Sequence, residues 1–497
     1  MTRLLLFSIF VGLLLGAATQ TDRLGSPAGT LALTQVTVID ATGGPAQPEM
    51  TVVISGDRIV ELGKTGRVRV PKDAVVVEAG GKFLIPGLWD MHIHLTITPE
   101  QEVSRSVILP LLVAHGVAGV RDMGGDWQRL QQLRQELAGG KLRGLQILTP
   151  GPFVDGPQPP GAFVLPVSGE AESRRAARKL KADGVDFLKV QSGLTLADYL
   201  AVAAEARIVG LPVVGHVPEA VSAFDVVRAG QRSIEHLSPA LPGDAGLLLA
   251  CSGKEAELRA ELLALGQASA QPNADRQQLR ARQRALQSQL FSTFDREKAG
   301  RLFALLAEKQ IWVVPTMIWA QRFAPLSPDD LPAEPVMQAI PLTLKNRWDR
   351  RRTQVIQAST EDDFNFRRMI FERSRDLAGA LHRANVPLLA GADALDGYVA
   401  PGFSLHQELE LFVAAGLTPM EALQTATRNP ARFLGQLASR GSVEKGKRAD
   451  LVLLDADPLR DIRNTRRIHA VILGGRLIDS AERERMLRAI EDFARKH

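Results

Sequence analysis

The chain contains a single cysteine, Cys251, among its 497 residues. An intrachain disulfide is therefore impossible, and the fold has to be held by its core. A chain of this length can build a large catalytic domain and a smaller second one. Cys251 ends the apolar stretch 247–251. We predict that its thiol is buried and inert rather than a nucleophile, because cysteine in apolar surroundings behaves as a small hydrophobic residue.

The sequence also lacks a strong excess of one charge and a long internal apolar run. Its formal net charge is +5, and the basic residues are scattered along the chain, which argues against a nucleic-acid partner. No segment after the N-terminus has the length of a membrane span. No glycine-rich phosphate loop follows the first strand of the central region, which disfavours a doubly wound dinucleotide-binding sheet.

The N-terminus has the layout of a secretory signal peptide. Arg3 supplies a positive end, residues 4–15 are apolar, and small residues occupy 16–18. The apolar run is short for a membrane span, and a lone arginine does not make a twin-arginine signal. We therefore predict that residues 1–20 are a Sec-type signal peptide. The mature protein is then secreted or periplasmic, without stable membrane insertion after cleavage.

The chain alternates between two styles of secondary structure. Residues 28–84 and 440–480 read as short strands joined by turns, and we predict that they form one composite β-sandwich domain. Residues 85–439 alternate short apolar strands with helical segments, which predicts an α/β fold, a (β/α)8 TIM barrel. The eight predicted barrel strands are Leu84–His94, Val117–Met123, Leu145–Thr149, Phe187–Gln191, Val213–Val217, Ser233–Leu237, Trp312–Thr316 and Val386–Ala392.

Helical segments fill the spaces between these strands, for example Glu170–Ala182 and Leu196–Val209. Two polar insertions, near 253–301 and 323–368, are also predicted to be helical. They either cover the mouth of the barrel as lids or are surface helices without a role in the reaction. Residues 481–497 are predicted to be a C-terminal helix.

Residues that carry chemistry follow the predicted strands. His92 and His94 lie two apart on the first strand and therefore point to one face, where two imidazoles are positioned to hold a metal ion such as zinc. In a parallel barrel the carboxyl ends of the strands form the active site. The further candidates at strand ends are Arg121, Lys189, His216, His236 and Asp393.

Two phrases carry a resemblance to a known family. The segments Ile85–His94 and Gly446–Val452 are typical of the amidohydrolase superfamily. The chain resembles its imidazolonepropionase-like and prolidase-like (Xaa-Pro dipeptidase-related) branch, over nearly its whole length after the signal peptide. A sandwich built from both termini is also a feature of that family.

The resemblance implies two divalent metal ions, with zinc the expected species. His92 and His94 would bind the more buried ion. Lys189, carboxylated by CO2, would bridge the two ions. A salt bridge from Lys189 to a core carboxylate, as in mononuclear relatives, is the alternative. His216 and His236 would bind the more exposed ion, while Asp393 would bind the first ion and accept a proton.

Four residues are expected to contact a small-molecule substrate. His236 would help to orient it, and Arg121 would pair with a substrate carboxylate. The alternative for Arg121 is an ion pair with Asp122 or with a neighbouring loop. Tyr398 and Asp396, just past the eighth strand, are additional pocket candidates.

The reaction implied is hydrolysis of an amide C–N bond in a dipeptide or an N-acyl amino acid. A hydroxide bridging the ions would attack, with Asp393 as the proton shuttle. A cyclic amide or lactone hydrolase, a mononuclear deaminase and a non-catalytic binding scaffold remain as alternatives. The sequence leaves open whether the chain forms a homo-oligomer.

Overall fold

A computed structural model describes residues 29–98, 100–139, 145–157, 163–237, 246–269, 271, 273–323, 335–395 and 397–497. The predicted signal peptide and Asp396 lie outside the described residues. The structure is mixed α/β, as predicted. Cys251 is fully buried, as predicted, and burial raises the pKa of its thiol to about 12, which disfavours the reactive thiolate form. Within the described residues, no helix is both long and apolar enough to cross a bilayer.

The strands are short and are interrupted by helices along most of the chain. Within the described residues they are β1 (Leu31–Val38), β2 (Gln47–Ser55), β3 (Arg58–Lys64), β4 (Val75–Glu78), β5 (Phe83–Pro86), β6 (Leu88–Ile93), β7 (Val117–Asp122), β8 (Gln146–Leu148), β9 (Phe153–Asp155), β10 (Val164–Pro166), β11 (Leu188–Val190), β12 (Val213–Gly215), β13 (Ser233–Glu235), β14 (Trp312–Val314), β15 (Leu451–Leu454), β16 (Ile468–Leu473) and β17 (Arg476–Ile478).

The helices vary in length from 3 to 23 residues. They are α1 (Gln101–Val103), α2 (Leu109–Ala114), α3 (Trp127–Ala138), α4 (Glu170–Asp183), α5 (Leu196–Ile208), α6 (Ala223–Ala229), α7 (Gly246–Ala250), α8 (Glu255–Ser269), α9 (Arg276–Ser292), α10 (Arg296–Glu308), α11 (Met317–Phe323), α12 (Leu342–Gln357), α13 (Glu361–Arg383), α14 (Phe403–Ala414), α15 (Pro419–Thr425), α16 (Arg428–Phe433) and α17 (Ser480–Lys496). A π-helix at Ser104–Ile108 and 3-10 helices at Pro335–Ala339 and Ile462–Arg466 complete the set.

Both ends of the chain contribute to one eight-stranded sheet, in the order β17-β16-β15-β5-β1-β2-β3, with β4 paired to β1. The antiparallel pair of β15 with β5 joins residues that are far apart in sequence, such as Leu451 and Pro86. Apolar side chains on these strands, among them Leu33, Val52 and Leu453, pack into a core of their own. Closure of this sheet into a sandwich stays a prediction.

The central region contains two parallel sheets, ordered β6-β7-β8 and β10-β9-β11-β12-β13-β14. The predicted eighth strand lies between them. The Leu389 amide donates to Val313 of β14 (3.0 Å), and the Met91 amide of β6 donates to Ala390 (2.9 Å). This segment makes only isolated bridges, so the prediction of a regular strand at Val386–Ala392 is corrected. Closure of the strands into a complete barrel stays a prediction.

The predicted strand Leu84–His94 is in fact two strands that belong to different sheets, β5 and β6. The change occurs at Gly87, whose amide donates to Asp450 (2.8 Å). A Cβ at Gly87 would lie 2.7 Å from Cβ of Ala118, so a larger residue does not fit without displacement. Glycine thus lets one apolar run pass from the terminal sheet into the central one.

The two insertions are helical in their described parts, as predicted. Helices α8 and α9 share a small apolar core with Leu249, formed by Leu258, Leu265, Leu286 and Leu290. Arg259 on α8 donates to the carbonyl oxygens of Glu219 and Val221 (2.6 and 2.7 Å), in the loop after β12. Arg284 on α9 forms an ion pair with Asp363 on α13 (2.7 Å). Whether these helices act as lids stays a prediction.

Substitutions at two glycines, one in a crowded and one in an open environment, test the packing around β7. A Cβ at Gly119 on β7 would lie 2.4 Å from the ring of the buried Trp89, whereas a Cβ at Gly300 on α10 meets nothing within 4 Å. We expect Gly119→Ala to lower the free energy of unfolding by about 1–3 kcal/mol, because overpacking forces the indole to move. Gly300→Ala should raise it by about 1 kcal/mol through helix propensity. Urea denaturation measures both changes, and equal effects of the two variants would contradict this packing.

Candidate metal centre

Four histidines and one aspartate converge where the parallel strands end. His92 lies on β6 and His94 directly follows it, while His216 and His236 directly follow β12 and β13. Asp393 lies on the hydrogen-bonded segment between β14 and β6, and its amide donates to the His92 carbonyl (2.7 Å). The chain thus brings residues that are up to 301 positions apart in sequence to one end of the sheets.

The Asp393 carboxylate lies at the centre of this cluster. Its Oδ1 lies 3.5 Å from Nε2 of His92 and 3.5 Å from Nε2 of His94. The ligand atoms of these three residues all lie within 4.8 Å of one another. Its other oxygen, Oδ2, lies 4.0 Å from Nε2 of His236. Three or four ligand atoms that converge on one point have the arrangement needed to hold a transition-metal ion.

The remaining predicted ligands lie near the Asp393 carboxylate. The ring centroid of His236 is 4.9 Å from that of His92 and 5.0 Å from that of His216. Lys189 on β11 is 2% exposed, and burial lowers the pKa of its amine, an effect opposed by the charges of Asp393 and other nearby carboxylates. The structure therefore brings all six sequence-predicted ligands together.

Every histidine of the cluster has a hydrogen-bonding partner at its Nδ1 atom. The partners are a carboxylate, a carbonyl and two hydroxyls: His92 with Glu235 Oε2 (3.0 Å), His94 with Gly124 O (2.8 Å), His216 with Ser192 Oγ (2.9 Å) and His236 with Thr316 Oγ1 (2.6 Å). Such contacts fix the tautomer and leave Nε2 for a metal. Nε2 of His92 is buried and makes no hydrogen bond with a described residue. These side chains fit a bound divalent ion.

Burial also keeps the imidazoles uncharged. It lowers the pKa of His94 and of His236 to about 3. The pKa values of His92 and His216 are lowered well below their usual range, again first by burial and then by the Lys189 charge. Neutral imidazole is the form that binds a metal, so the cluster is in its binding form at neutral pH.

Two buried aspartates that the sequence reasoning missed brace the histidines. Asp90 Oδ1 accepts the amides of His92 (3.2 Å) and Ala392 (3.0 Å), and burial raises its pKa to about 7. Asp122 accepts the amides of Leu95 and Gly124, and burial raises its pKa to about 6. The period of two along β6 is a signal for Asp90, since it places Asp90 on the same face as His92.

Arg121 is not placed for the predicted substrate contact. Its side chain is 0% exposed, and its guanidinium donates to Met91 O, Ser233 Oγ and both carboxylate oxygens of Glu235. The expected pairing with a substrate carboxylate is corrected, because the guanidinium already donates its hydrogen bonds to buried protein groups. Glu235, not Asp122, is the partner of its ion pair (2.7 Å).

Tyr398 is also engaged with protein groups. Its hydroxyl donates to Asp349 on α12, and its ring lies 5.3 Å from that of Trp348. Trp348 in turn donates to the carbonyl of Leu395 (3.2 Å). The second insertion therefore anchors the segment that follows Asp393. A direct contact of Tyr398 with substrate stays a prediction.

Three strand-end residues adopt a backbone conformation that is uncommon for non-glycine residues. The φ angles are 64° at His236, 49° at Thr316 and 56° at Asp393. Such conformations persist only where the surroundings hold them, and they are frequent at functional sites. Trp319 on α11 lies beside this group, with its ring centroid 6.0 Å from that of His236.

Comparison with known proteins finds matches over part of the sequence and over most of the fold. A profile of the amidohydrolase family matches residues 345–478. Imidazolonepropionases of Salmonella agona (strain SL483) and Salmonella typhi are 39% identical over 87 residues, which is 17% of this chain and 21% of each relative. The chain thus matches about a fifth of the length of these curated relatives.

Two solved structures share the fold at low identity. Bottromycin amidohydrolase has a TM-score of 0.70 at 21% identity, covering 96% of this chain and 94% of its own. A Xaa-Pro dipeptidase with bound methionine in its active site has a TM-score of 0.63 at 20% identity, covering 91% and 100%. With the profile match and the imidazolonepropionase relatives, these likenesses agree with the histidine-rich strand ends. Residues 345–478 thus resemble the amidohydrolase family, and the fold of the whole chain is similar to those of an amidohydrolase and of a Xaa-Pro dipeptidase.

Proposed function

We propose that the protein is a metal-dependent amidohydrolase that cleaves an amide C–N bond in a small substrate, a dipeptide or an N-acyl amino acid. The observation that carries this proposal is the convergence of His92, His94 and Asp393, whose ligand atoms lie within 4.8 Å of one another. Amide hydrolysis in this superfamily, and a Xaa-Pro dipeptidase among the proteins of like fold, support the reaction and the substrate class.

The donor set suits two divalent ions, with zinc the expected species, because imidazole and carboxylate are the ligands that zinc prefers. His92, His94 and Asp393 would hold one ion, and His216 and His236 the other. Lys189 would bridge them as a carbamate, since an ammonium cannot bind a cation. Bound ions supply Lewis acidity, which polarises a carbonyl and lowers the pKa of a coordinated water.

The chain's own residues orient the substrate and move the proton. Asp393 lies between three Nε2 atoms, where its carboxylate can accept a proton and pass it to the leaving nitrogen. His236 faces both Asp393 and the indole of Trp319 (6.0 Å). We propose that His236 orients the scissile carbonyl and that Trp319 forms an apolar wall against the substrate side chain.

The same proposal covers the architecture and location of the protein. The parallel strands close into a (β/α)8 barrel of residues 85–439, and residues 28–84 with 440–480 form the sandwich domain. The segment between β14 and β6, which hydrogen-bonds to both strands, supports this closure. The layout of residues 1–20 supports export.

Hydrolysis of a cyclic amide is the second candidate. The imidazolonepropionase relatives, 39% identical over 87 residues, favour it. The two candidates differ in the product, since a cyclic amide yields one molecule and a dipeptide yields two. Product analysis separates them.

The metal content of the purified protein tests the centre. We expect about two zinc ions per chain, falling to one or fewer in Lys189→Ala, because the bridging ligand is lost. Lys298→Ala is the matched control, since Lys298 pairs with Glu255 on the first insertion (2.5 Å) and should keep the full metal content. One ion per chain in the wild type, unchanged by Lys189→Ala, would contradict a binuclear centre.

A substrate screen tests the reaction. Dipeptides, N-acyl amino acids and cyclic amides are offered to the zinc-loaded protein, and released amine is measured. We expect turnover of at least one acyclic class, lowered about 100-fold or more in Asp393→Asn, because the amide cannot accept the proton. Full activity of that variant would remove the proton-transfer role of Asp393.

Two threonines of like geometry test the Nδ1 contacts. Thr316 faces Nδ1 of His236, and Thr465 faces Nδ1 of the buried His406 outside the cluster (3.0 Å). Each hydroxyl also donates to a backbone carbonyl. Both Thr→Val variants should cost about 1–3 kcal/mol of stability, since each leaves a buried imidazole nitrogen unpaired. Only Thr316→Val should weaken zinc binding, by about 10-fold. Chelator competition measures the affinities, and equal affinities would contradict the assignment.

A further inference from the structure

A buried ion pair lies beside the histidine cluster, and the proposed reaction does not use it. Arg121 on β7 and Glu235 on β13 are both 0% exposed. The guanidinium donates to Oε1 (2.8 Å) and Oε2 (2.7 Å) of the carboxylate. The rings of Phe187 and Phe433 lie 5.8 and 5.3 Å from it. The pair is thus sealed from water.

Such a pair contributes little to net stability. Moving two charges into the interior costs several kcal/mol each, and their attraction only roughly offsets that cost. The role of the ion pair is therefore inferred from the other groups that its carboxylate contacts. Glu235 Oε2 also faces Nδ1 of His92 (3.0 Å), and Ser233 Oγ donates to Oε1 (2.6 Å). Each carboxylate oxygen has its own further partner.

We infer that Arg121 and Glu235 act as positioning residues that set the tautomer of His92. The carboxylate accepts the Nδ1 proton, so the Nε2 lone pair faces Asp393 Oδ1, 3.5 Å away. Arg121 orients the carboxylate by donating to both of its oxygens. This inference rests on the proposed metal centre, because a fixed Nε2 lone pair is of use only to a bound cation.

The geometry makes a carboxylate at position 235 hard to replace by an amide. If a glutamine oxygen turned toward Ser233 and Arg121, its NH2 group would face His92, donate to Nδ1 and move the ring proton to Nε2. If the oxygen turned toward His92, the NH2 group would crowd the donors of Arg121. Either orientation disturbs the arrangement, although the side-chain volume barely changes.

Glu235→Gln is therefore the test, read by two independent measurements. In the metal-free protein, 15N NMR of labelled histidines reports the tautomer, and we expect the His92 proton on Nδ1 in the wild type and a shifted or mixed tautomer in the variant. In zinc titrations against a chelator, we expect the variant to bind about 10–100-fold more weakly.

Glu408→Gln is the matched control. Glu408 is also 0% exposed and accepts two backbone amides, from Met317 (3.0 Å) and Ile318 (2.7 Å). It therefore reproduces a buried Glu→Gln change at a residue that has no hydrogen bond to a ligand histidine among the described residues, and it should leave the tautomer and the zinc affinity of the cluster unchanged. Should Glu235→Gln fail to fold, the double variant Arg121→Met/Glu235→Gln takes its place, with the same expected result.

An unchanged His92 tautomer with unchanged zinc affinity in the folded variant would overturn the inference. A loss of affinity of the same size in Glu408→Gln would also overturn it, because the effect would then be general core damage. Failure of the proposed function gives a different pattern. A wild-type protein that binds no zinc removes the metal centre, while the tautomer measurement on metal-free protein still decides the role of Arg121 and Glu235.

Discussion

The candidate centre depends on one set of backbone hydrogen bonds, which fixes residues 387–394 between β14 and β6. The amides of Leu389 and Asp393 donate to Val313 and His92, and the amide of His94 donates to Ala394. The bonds of Asp393 with His92 and of His94 with Ala394 join parts of the chain about 300 residues apart. Together the three bonds set the Asp393 carboxylate 3.5 Å from two imidazoles. Without them the Asp393 carboxylate would not lie beside the Nε2 atoms of His92 and His94.

The histidines are useful to a metal because other groups restrict them. Each Nδ1 atom has a partner from a different part of the fold, and burial keeps each ring neutral. A neutral imidazole with its Nδ1 atom held presents one lone pair in one direction. The positive φ angles at His236, Thr316 and Asp393 indicate that the surrounding packing holds these strand ends in place at some local cost.

Much of this arrangement was predictable from local patterns. Two histidines two apart on an apolar strand share a face, and ligand-type residues that follow other strands share an edge when those strands are parallel. Helices α4 and α5 begin at the predicted residues. The break at Gly87 coincides with Pro86-Gly87, a dipeptide typical of turns, but this local signal does not indicate that the two halves join different sheets. Arg121 was mistaken for a substrate contact because its partner, Glu235, is 114 residues away and shows no pattern of its own.

Local patterns establish which side chains are available for chemistry and that they occur at the ends of buried strands, since alternation and apolar runs are local properties. The nitrogen of each imidazole that faces the cluster depends on the folded arrangement, because the Nδ1 partners Glu235, Gly124, Ser192 and Thr316 come from other strands and loops. The tertiary structure also decided that Arg121 is buried and pairs with Glu235 instead of reaching a substrate. Burial and hydrogen-bond partners are long-range properties, so they arise only when the strands come together.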